Sequence, residues 1–340
     1  MKRVAYLNNH NTAAPFVVET MAALGAETYL PLVCPERGAL SGPAAAQLRT
    51  ARLEPKEQTL LDVVDWYNEA LTVDVRVLAC LDSLFDVVII PAAVRTPNLR
   101  VTAHLLSTRV IVFEWGDIMG ITTHAEYDAA VARANVRRAV AYQRLGADLL
   151  HLPLGLPRGI AAALARSDAV RQSDTVIIAV SRLWARYSRT QLLELLEAIH
   201  APSFHLLIVG KDHGDTSFLQ RYTSRWQSIT ARADQPVEAL YRSYKQSAAL
   251  LYWMREPTVL QYSALECITL GTPVIYYAQS LLSAVMPAAD PCRVTAPAEM
   301  PTMLDALRDE ATARAISLQQ LQGVNALLAD IPEKWSRIFW

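Results

Sequence analysis

The sequence predicts an α/β protein of two domains in series, each an open parallel sheet with helices on both faces. Three observations predict it. The chain has 340 residues, and domains average roughly 100–200 residues, so two are expected. Short β-branched runs alternate with stretches of helical period, the pattern of a parallel sheet covered by helices. A Pro- and Gly-rich break, Pro153-Leu154-Gly155-Leu156-Pro157-Arg158-Gly159, interrupts both periods, after which the alternation restarts.

In the first half, residues 4–7 read as a strand and 15–24 as a helix ending near Gly25. Residues 27–32 form a second short strand. Residues 37–58, rich in Ala, Gly, Pro and charge, give a loop plus a helix, and 60–71 have helical spacing. Residues 86–90 (Asp-Val-Val-Ile-Ile) form a buried strand stopped by Pro91. Residues 101–106 are helical, and 109–113 form another buried strand before the polar break Glu114-Trp115-Gly116-Asp117. A long helix is expected over 127–145 and a last short strand over 148–152. In the second half, strands are expected at 174–180, 204–209, 249–253 and 273–277. Helices are expected at 190–199, 237–246, 261–270, 300–307 and 312–328. No tandem repeat of 20–50 residues is present. The sum is two Rossmann-like domains, 1–154 and 155–325, with a C-terminal segment 326–340 whose end reads as a short amphipathic helix.

Apolar residues make up 52% of the chain, enough for one or two sizeable cores, and the formal net charge is −1. That balance argues against a broad nucleic-acid-binding field and leaves a local basic groove open. Cys34, Cys80, Cys267 and Cys292 lie far apart with no CxxC pair, so neither a zinc ribbon nor a disulfide framework is expected. The start lacks the apolar stretch of a secretory signal. No apolar run approaches the roughly 20 residues that span a bilayer. The expectation is a cytoplasmic protein without an integral membrane segment.

Open parallel sheets bind ligands at the carboxyl ends of their strands, so the strand-to-helix junctions are where chemistry is sought. The first is Asn8-Asn9-His10-Asn11-Thr12, which is not a GxGxxG dinucleotide fingerprint. The second is Glu114-Trp115-Gly116-Asp117, where either carboxylate suits a general base on an acceptor hydroxyl. The third, Ser181 to Arg189, places Arg182, Arg186 and Arg189 beside a coming helix N-terminus, an arrangement suited to a pyrophosphate. The fourth is Gly210-Lys211-Asp212-His213-Gly214-Asp215. Here Gly210 permits close backbone approach and Lys211 offers a point charge to a phosphate. Its acids and His213 are crowded together without a second ligand cluster, so no metal site is expected. The fifth runs from Arg255 to Ile275. Tyr262 and Ser263 fall at a helix start, where free N–H groups favour anions. Glu266 follows about one turn further in, where a carboxylate can accept two hydrogen bonds from a vicinal diol such as ribose.

With these residues in view, the segment from Glu256 to Ile275 resembles the donor-binding signature of retaining GT-B glycosyltransferases. Glu266, Gly271, Thr272, Pro273 and Val274 carry the match. Ser181-Arg182-Leu183 resembles the family's GRL turn, Val209-Gly210 its next strand end, and His151-Leu152-Pro153-Leu154-Gly155 its interdomain linker. There are departures. The interval from Glu256 to Glu266 is longer than the family's, Tyr187 stands where a lysine is usual, and Asn8 to Ala14 replaces a glycine-rich loop. Glu114-Trp115 stands where the family often has a histidine.

The resemblance implies a GT-B fold, two Rossmann-like domains facing across a cleft, with the C-terminal helix packing back on the first domain. It implies metal-independent transfer of a sugar from a nucleotide-sugar donor, UDP-type, to an acceptor hydroxyl, with retention and without a cofactor. Arg182, Arg186, Lys211, Tyr262, Ser263 and Glu266 are the expected donor residues. His10, Glu114 and Asp117 are the expected catalytic residues on the acceptor side. The acceptor would be a glycan, a lipid-linked sugar, a small metabolite or modified DNA. The last is raised by the stretch Leu260-Gln261-Tyr262-Ser263-Ala264-Leu265-Glu266, which also resembles phage DNA-base glucosyltransferases acting on hydroxymethylpyrimidines. A sugar-nucleotide epimerase and a catalytically inactive nucleotide-sugar-binding protein are the rival readings.

Overall fold

The computed structural model describes residues 2–8, 13–33, 40–64, 66, 74–92, 101, 104–114, 129, 132–140, 159–165, 169–182, 186–211, 214–233, 235–255 and 260–339. The expected strand at 148–152 and the linker at 151–155 lie outside these residues. The chain divides into two compact units, one comprising Met1–Gly155 with Asp330–Trp340 and the other Leu156–Ala329. No helix among the described residues is long and apolar enough to cross a membrane.

The first unit is built on a parallel sheet of β1 (Lys2–Tyr6), β2 (Ala26–Tyr29), β3 (Val87–Ala92), β4 (Arg109–Glu114) and β5 (Val136–Val140). Among the described residues the strand order is β2-β1-β3-β4-β5. Val88, Ile89, Ile90, Val110, Ile111 and Val112 are fully buried, as central strands covered on both faces require. Helix α1 (Ala13–Ala23) follows β1, and Gly25 then takes a φ of 72°, which lets the chain turn into β2. Helices α2 (Gly42–Leu48), α3 (Pro55–Asp62) and α4 (Val75–Leu84) begin at Ser41, Glu54 and Asp74. Ser41 accepts from Ala44 N–H, Glu54 and Glu57 form a capping box, and Asp74 accepts from Arg76 N–H.

The expected helix over 127–145 is corrected by β5. Residues 136–140 pair in parallel with β4, Val110 opposite Val136 and Val112 opposite Arg138. The Ala- and Arg-rich composition favours helix locally, but ladder hydrogen bonds to a buried strand outweigh propensities of a few tenths of a kcal/mol per residue. At the far end of the chain, α11 (Ile331–Phe339) belongs to this unit and packs on α1. Its Trp335 is fully buried, with its ring centroid 5.3 Å from that of Phe113 in β4.

A buried ion pair ties the α2–α3 region to the carboxyl end of β2. Arg49 donates from Nε to Leu30 O at 2.7 Å and from Nη1 to Asp62 Oδ2 at 3.0 Å. Tyr29 donates to Asp62 Oδ1 at 3.2 Å, and the guanidinium lies 4.4 Å over the Tyr29 ring.

The second unit holds β6 (Thr175–Arg182), β7 (Ala201–Lys211), β8 (Trp226–Ala233), β9 (Ala249–Tyr252), β10 (Val274–Tyr277) and β11 (Arg293–Val294). The order among the described residues is β11-β10-β9-β6-β7-β8, again parallel throughout. Its longer α-helices among the described residues are α5 (Gly159–Ala165), α6 (Arg186–Ala198), α7 (Val237–Gln246), α8 (Tyr262–Thr269), α9 (Met300–Ala306) and α10 (Glu310–Leu328). The chain runs outward from β6 through β7 to β8, then returns to β9 on the other side of β6. The order therefore reverses between β6 and β9, and this switch point is where open α/β sheets form their ligand crevice.

Removing Asp62 leaves the guanidinium of Arg49, whose side chain is only 8% exposed, without its counter-charge. Asp62→Ala is expected to cost about 3–5 kcal/mol, whereas replacing both partners by apolar residues, Arg49→Met with Asp62→Leu, should recover most of it. Urea unfolding of the three proteins checks this. Equal losses in the single and the double variant would contradict it.

Candidate functional site

The carboxyl edge of the second sheet gathers most of the expected donor residues. β6 ends at Arg182 and β7 at Lys211, and the two are register partners on neighbouring strands. A register shift between Val180 and Arg182 marks an irregularity at this end. Gly210 lies opposite Val180, and a β-carbon on it would sit 1.8 Å from the Val180 carbonyl oxygen. The close approach expected of Gly210 is thus made to the adjacent strand, drawing the two basic positions together. Arg186 opens α6, so it stands at a helix start, where unpaired N–H groups and the helix dipole favour anions.

At the switch point lies a hollow lined by Ile178, Ala179 and Val180 of β6 and by Gln191, Leu192 and Leu195 of α6. Leu251, Tyr252, Trp253, Met254 and Gln261 close it from the β9 side. Sequence reasoning did not find the group that braces this edge. Glu194 of α6 accepts from Trp253 Nε1 at 2.8 Å and from Arg255 Nη1 at 2.8 Å. The Trp253 ring in turn packs on Tyr277, centroids 4.4 Å apart. Only the position of Trp253 and Arg255 directly after a strand could have pointed to them. Tyr252 OH accepts from Gln261 N–H at 3.1 Å, fixing the start of α8 to the end of β9.

Helix α8 begins at Tyr262 with Ser263 next, both half-buried, and Glu266 is its fifth residue. Gly271 ends the helix with a φ of 89°. Thr272 Oγ1 donates to Tyr244 O on α7 at 2.7 Å. Pro273 leads into β10, where Gln320 of α10 clamps both backbone groups of Val274 at 2.9 Å. The segment Gly271-Thr272-Pro273-Val274 therefore fixes α8 against α7, β10 and α10, and through α8 it fixes Glu266.

Glu266 is 8% exposed. Its Oε1 accepts a hydrogen bond from Tyr241 OH at 3.3 Å, and its other oxygen has no partner among the described residues. Among those residues it makes no ion pair. Burial disfavours the charged carboxylate and pushes its pKa up to about 7, with the Tyr241 hydrogen bond pulling the other way. A nearly buried carboxylate with one open acceptor is costly for the protein alone and suited to a ligand that donates hydrogen bonds.

On the first unit, Asn8 follows β1 and is buried. Glu114 ends β4, paired in register with Ala92 and Val140. His10 and Asp117 lie outside the described residues, as do Glu256, Asp212 and His213. Asp215 accepts from Ser217 N–H at 2.8 Å and from Ser217 Oγ at 2.9 Å, and these bonds lower its pKa. Its oxygens are engaged in a local turn.

No family model matches the chain, and no curated protein is detectably similar to it. Solved structures do match over nearly the whole length. HepE from Anabaena in complex with UDP-glucose aligns with a TM-score of 0.63 at 13% identity, covering 99% of this chain and 98% of that one. An alpha-glucosyltransferase in complex with UDP and a 13-mer DNA gives 0.63 at 11% identity, covering 99% of each. Sucrose-phosphate synthase from Thermosynechococcus elongatus gives 0.59 at 16% identity, covering 100% of this chain and 98% of that one. At these identities the likeness is one of fold: the chain has the two-unit α/β architecture of GT-B glycosyltransferases.

The Glu266 environment has a consequence for stability. In the unfolded chain its carboxyl titrates near 4.5, and in the fold near 7. Between those values the fold keeps a proton that the unfolded chain has lost, so stability falls as pH rises and levels off above about 7. The contribution is on the order of 3 kcal/mol across that window. Glu266→Gln is expected to flatten this fall and to be the more stable protein at pH 8. Urea unfolding from pH 5 to 8 measures both, and parallel curves for the two proteins would contradict it.

Proposed function

We propose that this chain is a glycosyltransferase that holds a UDP-type nucleotide sugar on its second unit and passes the sugar to an acceptor hydroxyl. The observation that carries the reading is Glu266, a buried carboxylate with an open oxygen and no paired cation among the described residues. A carboxylate only accepts, and the ribose diol donates twice, so the two are complementary. The basic positions Arg182 and Lys211 at adjacent strand ends, Arg186 at the start of α6 and the α8 start at Tyr262 and Ser263 support a diphosphate beside that ribose. The similarity in fold to structures that contain UDP or UDP-glucose supports it further.

In the reaction the bond between the anomeric carbon and the diphosphate oxygen breaks, and the electron pair leaves with the nucleoside diphosphate. Cationic groups at the strand ends stabilise that growing negative charge, the main electrostatic task of such a site. The acceptor oxygen bonds to the anomeric carbon and gives up its proton to a general base on the first unit. Residues of the first unit, His10, Glu114 or Asp117, take the acceptor side in this reading. Transfer proceeds with retention and with protein cations in place of a metal.

A second reading of the acceptor is favoured by one comparison, the alpha-glucosyltransferase bound to DNA. It makes the acceptor a hydroxymethylated base. Turnover of hydroxymethylated duplex DNA that weakens steeply with salt would support it. Turnover of a sugar or small-molecule acceptor alone would replace it.

Calorimetry tests the donor assignment. UDP is expected to bind the wild type about tenfold or more tighter than it binds Glu266→Ala, the worth of a hydrogen bond to a charged group. The preference for UDP over 2′-deoxy-UDP should be present in the wild type and absent in that variant. Equal affinities across these four combinations would sink the assignment. Activity is expected to survive a chelator, and loss that divalent metal restores would overturn the metal-free mechanism.

A further inference from the structure

Glu266 is useful to a diol only if its carboxylate is held at one angle and is ionised when the ligand arrives. Its own helix does neither. Among the described residues the one side chain that bonds the carboxylate is Tyr241, which reaches across from α7. Tyr241 is itself 3% exposed. Its hydroxyl is buried in a unit whose core is apolar, and its donor is given to Glu266 Oε1. A buried phenol of this kind normally finds a partner, but a backbone carbonyl would satisfy it equally well. Here it is directed at a carboxylate whose second oxygen has no partner among the described residues.

We propose that Tyr241 is a positioning residue of the donor site, acting through Glu266: it anchors one carboxylate oxygen so that the other faces the ribose of the bound nucleotide. This rests on the donor reading given above. The frame around the pair is stiff. Tyr241 and Tyr244 lie one turn apart on α7 with ring centroids 6.2 Å apart, and Thr272 ties the backbone of Tyr244 to the end of α8. The phenol and the carboxylate are thus carried by two helices locked together by a buried hydrogen bond.

The pair also sets when the carboxylate is charged. The Tyr241 hydroxyl donates to the ionised form and favours it against burial. The other ionisable groups that interact with Glu266 are Tyr244 of α7 and Cys267 of α8, both neutral at physiological pH because burial raises their pKa values. On α7, Glu238 and Arg242 are exposed, and Lys245 directs its Nζ to the carbonyls of Ala163 and Leu164. α10 presents Ala313, Ile316, Ser317, Gln320 and Val324 as its buried face, with Glu310 and Arg314 exposed. β9 and β10 carry only tyrosines as ionisable groups. Among the described residues, then, no cation assists Glu266, and Tyr241 is the group that tips its ionisation.

UDP-glucose is the probe, since its diphosphate carries no proton that titrates near neutrality. Wild-type affinity is expected to rise with pH through a limb near 7. Tyr241→Phe should weaken binding at pH 7 by about tenfold and move the limb to higher pH, because the ionised carboxylate loses a charge-assisted donor. A purely structural loss would lower the melting temperature without moving the limb. A double-mutant cycle separates the two: in a Glu266→Gln background, Tyr241→Phe should change affinity less than about twofold. Wild-type affinity and an unmoved limb in Tyr241→Phe, or equal effects in both backgrounds, would overturn the proposal while leaving the donor reading standing. Absence of UDP-glucose binding to the wild type would overturn both.

Discussion

Keeping a carboxylate out of water costs free energy unless hydrogen bonds replace its hydration. Among the described residues Glu266 has one such side-chain bond, from Tyr241, and it is 8% exposed. Much of the second unit can be read as the scaffold that holds this uncomfortable group in place. The helix that carries it is short, eight residues, and too short to be stable alone. It persists because Gly271 turns the chain, Thr272 bonds α7, and Gln320 grips β10 through Val274. The helix that carries this costly group is thus held by contacts to two further helices and a strand.

The sheet brings two basic residues to one edge through the register of their backbones. Parallel strands end together, so residues far apart in sequence become neighbours at one edge. Arg182 and Lys211, well separated in sequence, are register partners there. The absence of a β-carbon at Gly210 allows β7 to close on Val180. The reversal of strand order between β6 and β9 opens the crevice beside them. Acid and base are therefore placed by different means, the one by helix packing and the other by strand register. A ligand carrying a diol next to a diphosphate matches both placements.

Much of this was legible in the sequence where burial is two-sided. The runs at 87–90, 110–113, 176–180 and 206–209 are apolar on both faces and announce central strands. The α8 region was legible for a different reason, since Gly271 and Pro273 punctuate it. The edge strand β8 was missed because its residues, Trp-Gln-Ser-Ile-Thr-Ala-Arg-Ala, bury little and alternate weakly. Helix α4 was missed because Val75 and Val77 blur its period. Strand β5 was hidden under helix-favouring alanines and arginines. In the site, Glu266 was visible through its neighbours, but Tyr241 was not. Nothing in a spacing of 25 residues couples a phenol on one helix to a carboxylate on the next. The ion pair of Arg49 with Asp62 was equally silent, because long-range pairing of side chains leaves no local period.

The donor proposal requires a nucleotide to lie against Glu266 at the switch point of the second sheet. A crystal structure of the chain with UDP-glucose would reveal this. Density is expected for the ribose with both hydroxyls on the Glu266 carboxylate, and for the diphosphate near the ends of β6 and β7 and the start of α6. A nucleotide bound elsewhere on the chain, or one at this edge whose ribose makes no contact with Glu266, would contradict it.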